Sequence, residues 1–169
     1  MTVAPAVDDL PITAEGYERL CARLDTLRTV GRREMSERLR DARADGNPDD
    51  NPGLLDVFEA QAQLERRIAI LEERVAAARV VEPSRDGRAG IGSAVWLRDL
   101  DADEIVEYRL VGATESDPGQ GRVSVSAPVG RALMGAVAGD DVTVVCPRGT
   151  LRYQVISVET VMQPARKAA

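Results

Sequence analysis

The sequence predicts an α+β protein in two parts: an N-terminal antiparallel coiled-coil helical hairpin, then a small antiparallel sheet domain with one short helix. Three observations carry that expectation. Two long stretches repeat apolar side chains at helical spacing. Between them lies Asp41-Ala-Arg-Ala-Asp-Gly-Asn-Pro-Asp-Asp-Asn-Pro-Gly53, where no ordinary helix continues. After residue 83 the period changes, and short β-rich runs alternate with Gly/Pro turns.

Residues 1–12 contain Pro5 and Pro11 and little periodicity, so a loose leader is expected there. Thr13 offers an N-cap, and Glu15 falls in the first turn, where a carboxylate favours the helix dipole. Tyr17, Leu20, Leu24 and Leu27 follow at spacings of three and four; Met35, Leu39 and Ala42 resume the stripe after Gly31 shifts its phase. Past the break, Val57, Gln61, Leu64, Ile68, Leu71, Val75 and Ala78 hold an uninterrupted four-three alternation in a stretch rich in helix formers. Two such helices joined by a short turn bury their stripes only by folding back on each other. The hairpin expected over residues 13–82 is about 40 Å long at 1.5 Å per residue.

The break itself, residues 45–53, is the expected tip. Pro48 and Pro52 lack amide donors and disfavour helix in the residues before them, while Gly46 and Gly53 accept backbone angles that other residues resist. Between Asp41 and Asp56 stand five acids, Asp41, Asp45, Asp49, Asp50 and Asp56, against the single base Arg43. A solvated polar turn accounts for such a loop taken alone. Arginines crowd the first helix at 19, 23, 28, 32, 33, 38, 40 and 43, more than Glu18, Asp25, Glu34 and Glu37 would pair. One basic face on the shaft is expected, with Arg32, Arg33, Arg40 and Arg43 as its candidates; ion pairs along the helix are the plainer account of the same residues.

Pro83-Ser-Arg-Asp-Gly-Arg-Ala-Gly90 reads as a linker. The second domain is expected over residues 91–160, with 161–169 as a tail. Ala94–Leu97 and Glu104–Gly112 are strand candidates about the turn Asp99–Asp103; Val123–Ser126 is a third. Val129 to Met134 reads as a helical turn ended by Gly135. Val142–Cys146 and Leu151–Val158 complete the sheet about Pro147-Arg-Gly149. Asp99, Asp101, Asp103 and Glu104 bring acids together, but the glycine and terminal glutamate of an EF-hand calcium loop are missing.

Composition narrows the function. Among 169 residues, 28 acids face 22 bases, a net charge of −6, and residues 1–82 hold 17 of the acids against 12 bases. That balance opposes independent binding to DNA and favours a protein partner. Cys21 and Cys146 stand alone, without a CxxC pair or any histidine, so neither a zinc site nor a disulfide framework is supported. No apolar run approaches the roughly 20 residues of a membrane span, and a soluble, cytoplasmic monomer is expected.

Several motifs, in order along nearly the whole chain, resemble the Gre family of bacterial transcript cleavage factors. Thr13-Ala-Glu-Gly-Tyr-Glu-Arg-Leu20 is similar to the family's opening T-x-E-G-x-x-x-L, and Ala42-Arg43 followed by Gly46 resembles its approach to the hairpin tip. Ser126-Ala-Pro-Val-Gly-Arg-Ala-Leu-Met-Gly135, then Gly139-Asp140, Pro147, Gly149 and Tyr153, resembles the pattern of the family's FKBP-like domain. The resemblance implies a protein that is no enzyme itself and has no cofactor of its own. Its hairpin would enter the secondary channel of RNA polymerase, and the second domain would dock at the channel rim through Ser126, Pro128, Arg131, Leu133 and Gly135. The functional tip would be Asp45, Asn47, Asp49 and Asp50, acting on the polymerase's Mg²⁺ in trans, near nascent RNA or incoming nucleotide.

The tip departs from the family pattern. Where the family reads G-D-L-x-E-N-A-E-Y, this chain reads Gly46-Asn47-Pro48-Asp49-Asp50-Asn51-Pro52-Gly53-Leu54. Asn47 replaces the first carboxylate, and Asp50 is one methylene shorter than the second. Asp49 and Asp50 remain as metal-directed candidates. An amide brings no negative charge to a metal, and a ligand misplaced by ~1 Å can cost ~100-fold in catalysis. Three expectations follow: a regulator that binds polymerase and inhibits transcription without efficient RNA cleavage, a working cleavage factor using the remaining acids, or a coiled-coil module with another client.

Overall fold

The computed structural model describes residues 9–44, 52–146 and 149–160. The chain forms two compact units, one comprising Glu18–Ala77 and the other comprising Met1–Tyr17 with Ala78–Ala169.

The first unit is the helical hairpin. Helix α1 (Ala14–Thr26) passes through a π-helical turn (Leu27–Gly31) into α2 (Arg32–Ala44), and α3 (Pro52–Ala77) runs back antiparallel. Leu24, Ile68 and Leu71 are buried between them, with Leu20, Leu27, Leu64 and Val75 packed around. Each buried aliphatic side chain contributes about 2 kcal/mol. The phase shift expected at Gly31 takes the form of the π turn, which adds a residue to one helical turn and rotates everything beyond it. A Cβ on Gly31 would stand 3.2 Å from Leu64 Cδ1, so the small residue also lets α3 approach closely. Beyond that turn, Met35, Leu39 and Ala42 are only half-buried, and α2 holds no fully buried residue.

The second unit is built on a five-stranded sheet of order β5-β4-β3-β7-β6, comprising β3 (Ser93–Asp99), β4 (Glu104–Val111), β5 (Arg122–Ser124), β6 (Asp141–Cys146) and β7 (Gly149–Thr160). Inward residues alternate along the strands: Val95 and Leu97 on β3, Val142 and Val144 on β6, Tyr153 and Val155 on β7. Short helix α4 (Pro128–Leu133) closes this core with Leu133. Tyr108 and Tyr153 meet edge to face at 6.2 Å, a favoured aromatic geometry.

Three differences from the sequence reading stand out. The sheet is mixed, because β5 pairs parallel to β4, with Leu110 opposite Val123. Residues 112–121 carry the chain back through two 3-10 turns, Ala113–Glu115 and Pro118–Gln120, as a parallel pairing requires. Strand β5 also begins one residue earlier than expected. Within the expected leader, Leu10–Ile12 form β1, parallel to β2 (Ala78–Val80), and Ile12 is buried. Pro11 is tolerated because it lies in a two-stranded ladder, where one side of each strand needs no amide donor. Helix α3 accordingly stops at Ala77, and Ala78, the last member of the helical stripe, begins β2.

Candidate functional site

The hairpin end, its shaft and the α4 segment of the sheet unit are the three candidate regions. Helix α2 ends at Ala44 and α3 begins at Pro52, a proline in the first helical turn, where its missing amide costs nothing. Asp45, Asn47, Asp49 and Asp50, including the metal-directed pair, lie outside the described residues.

On the shaft, Arg32 does not extend a free basic face. It forks onto Glu65 of α3, Nε to Oε1 at 3.0 Å and Nη2 to Oε2 at 2.7 Å. That hydrogen bond holds the Glu65 carboxyl below its ordinary range and the Arg32 guanidinium above its own. Arg28, which the reading of the basic face did not single out, pairs with Glu72 at 2.7 Å. These two pairs link α2 and the π turn to α3 across the hairpin; their spacing of seven on α3 was the signal in the sequence. Arg40 makes a loose contact with its neighbour Asp41 at 3.5 Å. Arg33 and Arg43 are exposed and form no ion pair among the described residues.

The docking candidates cluster about α4. Ala127 precedes the helix in extended conformation and Pro128 opens it. The Ser126 amide donates to Ser124 Oγ at 3.0 Å, and Arg131 Nη1 donates to the Ser126 carbonyl at 2.8 Å, so Arg131 braces the approach to the helix while staying exposed. Gly130 passes so close to β5 that a Cβ would lie 2.0 Å from the Ser124 carbonyl oxygen. Gly135 adopts φ +81° and donates its amide to the Ala89 carbonyl at 2.7 Å. Ser126, Pro128, Arg131 and Gly135 are thus each exposed. Leu133 differs: it is fully buried, so it anchors α4 from below and offers no surface to a partner. Met134, beside it in sequence and 46% exposed, takes the outward place.

The carboxylates of the Asp99–Asp103 loop are engaged within the protein. Asp99 Oδ1 accepts from the amides of Asp101 and Ala102, Arg98 pairs with Asp103, and Arg152 pairs with Asp101 at 2.6 Å. Among the described residues no group of three or more acids, histidines or cysteines could hold a metal. Cys21 and Cys146 are free thiols, and among the described residues no helix is long and apolar enough to cross a membrane.

One buried acid went unnoticed in the sequence. Glu115 is 8% exposed and accepts from the Thr13 amide at 2.9 Å, the Thr13 hydroxyl and the Gly112 amide at 3.1 Å. Thr13 Oγ1 in turn caps the Gly16 amide at 2.9 Å. The start of α1 is therefore tied to a 3-10 turn 102 residues away.

Comparison with known proteins matches both parts of the chain. Residues 10–80 match the family model for the transcription elongation factor N-terminal domain, and residues 84–160 that for the GreA/GreB C-terminal domain. Transcription elongation factor GreA of Prosthecochloris aestuarii is 39% identical over 155 residues, covering 89% of this chain and 97% of the relative. Transcription elongation factor GreA of Alkaliphilus oremlandii is 39% identical over 152 residues, covering 89% and 96%. Among solved structures, the GreA factor homolog Gfh1 of Thermus thermophilus is 28% identical with a TM-score of 0.40, covering 89% of this chain and 99% of that one. The chain belongs to the GreA/GreB family of transcription elongation factors.

Proposed function

We propose that this chain binds bacterial RNA polymerase, places its hairpin in the secondary channel and slows nucleotide addition without efficiently stimulating RNA cleavage. It acts on the polymerase's active site and its Mg²⁺ in trans, as a monomer with no cofactor of its own. The observation that carries the reading is a family scaffold joined to an altered tip: hairpin and sheet domain are kept, while Asn47 stands where a carboxylate would serve and Pro48 and Pro52 flank the acids. A second metal is held by negative oxygens, which polarise the phosphate and generate hydroxide; a neutral amide supplies neither. Occupancy of the channel needs only the shaft and a docking rim, for which Ser126, Pro128, Arg131 and Gly135 are the candidates.

A second reading, an active cleavage factor, draws support from the acids that remain at Asp45, Asp49 and Asp50. Incubating a backtracked elongation complex with the protein and Mg²⁺ separates the two. Slowed nucleotide addition with intact transcripts is the expected result. Shortened, re-extendable transcripts at a rate comparable with an active family member would overturn it.

A further inference from the structure

Helix α3 carries a second apolar feature that the hairpin core does not use. Leu55 is 63% exposed and Phe58 43% exposed, three residues apart in the first two turns, so they share one face. Their neighbours Leu54 and Val57 belong to the inward stripe, with Leu54 buried, so the exposed pair is not a stripe that slipped out of phase.

The heptad position makes Phe58 unusual. It lies seven residues before Glu65 and fourteen before Glu72, so the three share one flank of α3. At the other two, an acid meets an arginine across the hairpin, Arg32 at Glu65 and Arg28 at Glu72. Phe58 takes the corresponding place one heptad nearer the hairpin end. A phenylalanine makes no such pair, and among the described residues no cation stacks on its ring. It is the only phenylalanine in the chain.

The charge around the pair specifies what it can meet. From Pro52 to Glu65 the helix carries Asp56, Glu59 and Glu65 and no base, and Glu65 is already paired. Asp56 and Glu59 are exposed and alternate with Leu55 and Phe58 along the helix. A complementary surface is apolar at its centre and bordered by lysine or arginine; an acidic or purely polar surface would leave two large apolar groups or two carboxylates badly matched.

We infer that Leu55 and Phe58 are an apolar anchor that seats the tip end of the hairpin against an apolar, cation-bordered patch of the polymerase. This deepens the proposed function and rests on it. An aromatic anchor at the centre of a contact dominates binding while surrounding charges set its orientation. The pair also stands within a few residues of the tip, so it would hold the tip's position as well as add affinity.

The test uses the full chain and purified core polymerase. The double variant Leu55→Gln, Phe58→Gln keeps helix-compatible side chains of similar reach, and circular dichroism verifies that its helix content is retained. Its affinity should fall by about tenfold or more, and Glu59→Lys should weaken binding as well. A tight wild-type complex with an unchanged affinity in the double variant overturns the inference while leaving the functional reading intact; no wild-type complex at all overturns both. Benzoylphenylalanine introduced at position 58 gives an independent readout, including the case in which the double variant loses helix. A crosslink to a polymerase subunit supports the anchor. A crosslink only to a second copy of this chain, with a matching dimer in sedimentation, overturns it by showing the face to be a self-contact.

Discussion

Gly16 and Glu115 form a pair whose coupling can be worked from the structure. A Cβ built on Gly16 falls 2.0 Å from Glu115 Oε1, 2.2 Å from Cδ and 2.7 Å from Cγ. Real carbons do not approach oxygen so closely, so Gly16→Ala forces the carboxylate out of its place. Alanine alone would help the helix by about 1 kcal/mol, yet the displaced carboxylate abandons the Thr13 and Gly112 amides. Each buried donor left unpaired costs about 1–3 kcal/mol. We therefore expect Gly16→Ala to destabilise by about 2 kcal/mol and Glu115→Ala by about 3 kcal/mol. The double variant is the discriminating case. With the carboxylate already gone, the clash is absent and the helix gain returns, so it should be no less stable than Glu115→Ala alone. Urea denaturation followed by circular dichroism measures the cycle. Additive losses, near 5 kcal/mol for the double variant, would refute the argument that the two residues compete for one space.

Replacing Arg131 with glutamate should weaken polymerase binding and leave the melting temperature nearly unchanged, since the side chain is exposed and its one bond to the Ser126 carbonyl is worth about 1 kcal/mol; wild-type affinity removes Arg131 from the interface. Alanine at both Asp49 and Asp50 should relieve inhibition of nucleotide addition while binding persists, and persistent inhibition would move the effect away from the tip. Asn47→Asp with Asp50→Glu should give at most weak transcript cleavage, rising when Pro48→Leu and Pro52→Ala are added; robust cleavage by the unaltered chain contradicts this. Glu65 is held below its ordinary value of 4.5 in the folded hairpin, so its pairing with Arg32 stabilises above that value and is lost as pH falls through the lower, folded-state range. The pair is exposed, so the loss is small and shrinks with salt; Glu65→Gln should flatten that part of the acid unfolding profile, and an unchanged profile would remove the pair from it.

Periodicity alone determined the hairpin. Residues 57–75 alternate by four and three because a helix buries one stripe, and that regularity survives without knowledge of any partner. The phase shift at Gly31 was also legible, since glycine acts on its own backbone, whereas Pro52 and Gly53, read as part of the tip, open α3 instead, because a proline fits the first helical turn. The β3–β4 and β6–β7 hairpins were legible for a related reason: their partners are adjacent in sequence. What only the tertiary structure decided is the set of pairings between distant segments. Strand β1 was hidden because three residues have no period of their own and need Ala78–Val80 beside them. The parallel β4–β5 pair depends on the path of residues 112–121, which no local pattern reports. Leu133 and Arg131 look alike as members of one motif, yet packing buries the first and leaves the second at the surface. Arg32 reads as free charge until Glu65 stands opposite it, and Glu115 reads as one more surface acid until Thr13 arrives from the far end of the chain. Local chemistry is written residue by residue, whereas burial and pairing are properties of two segments at once and exist only after the chain has brought them together.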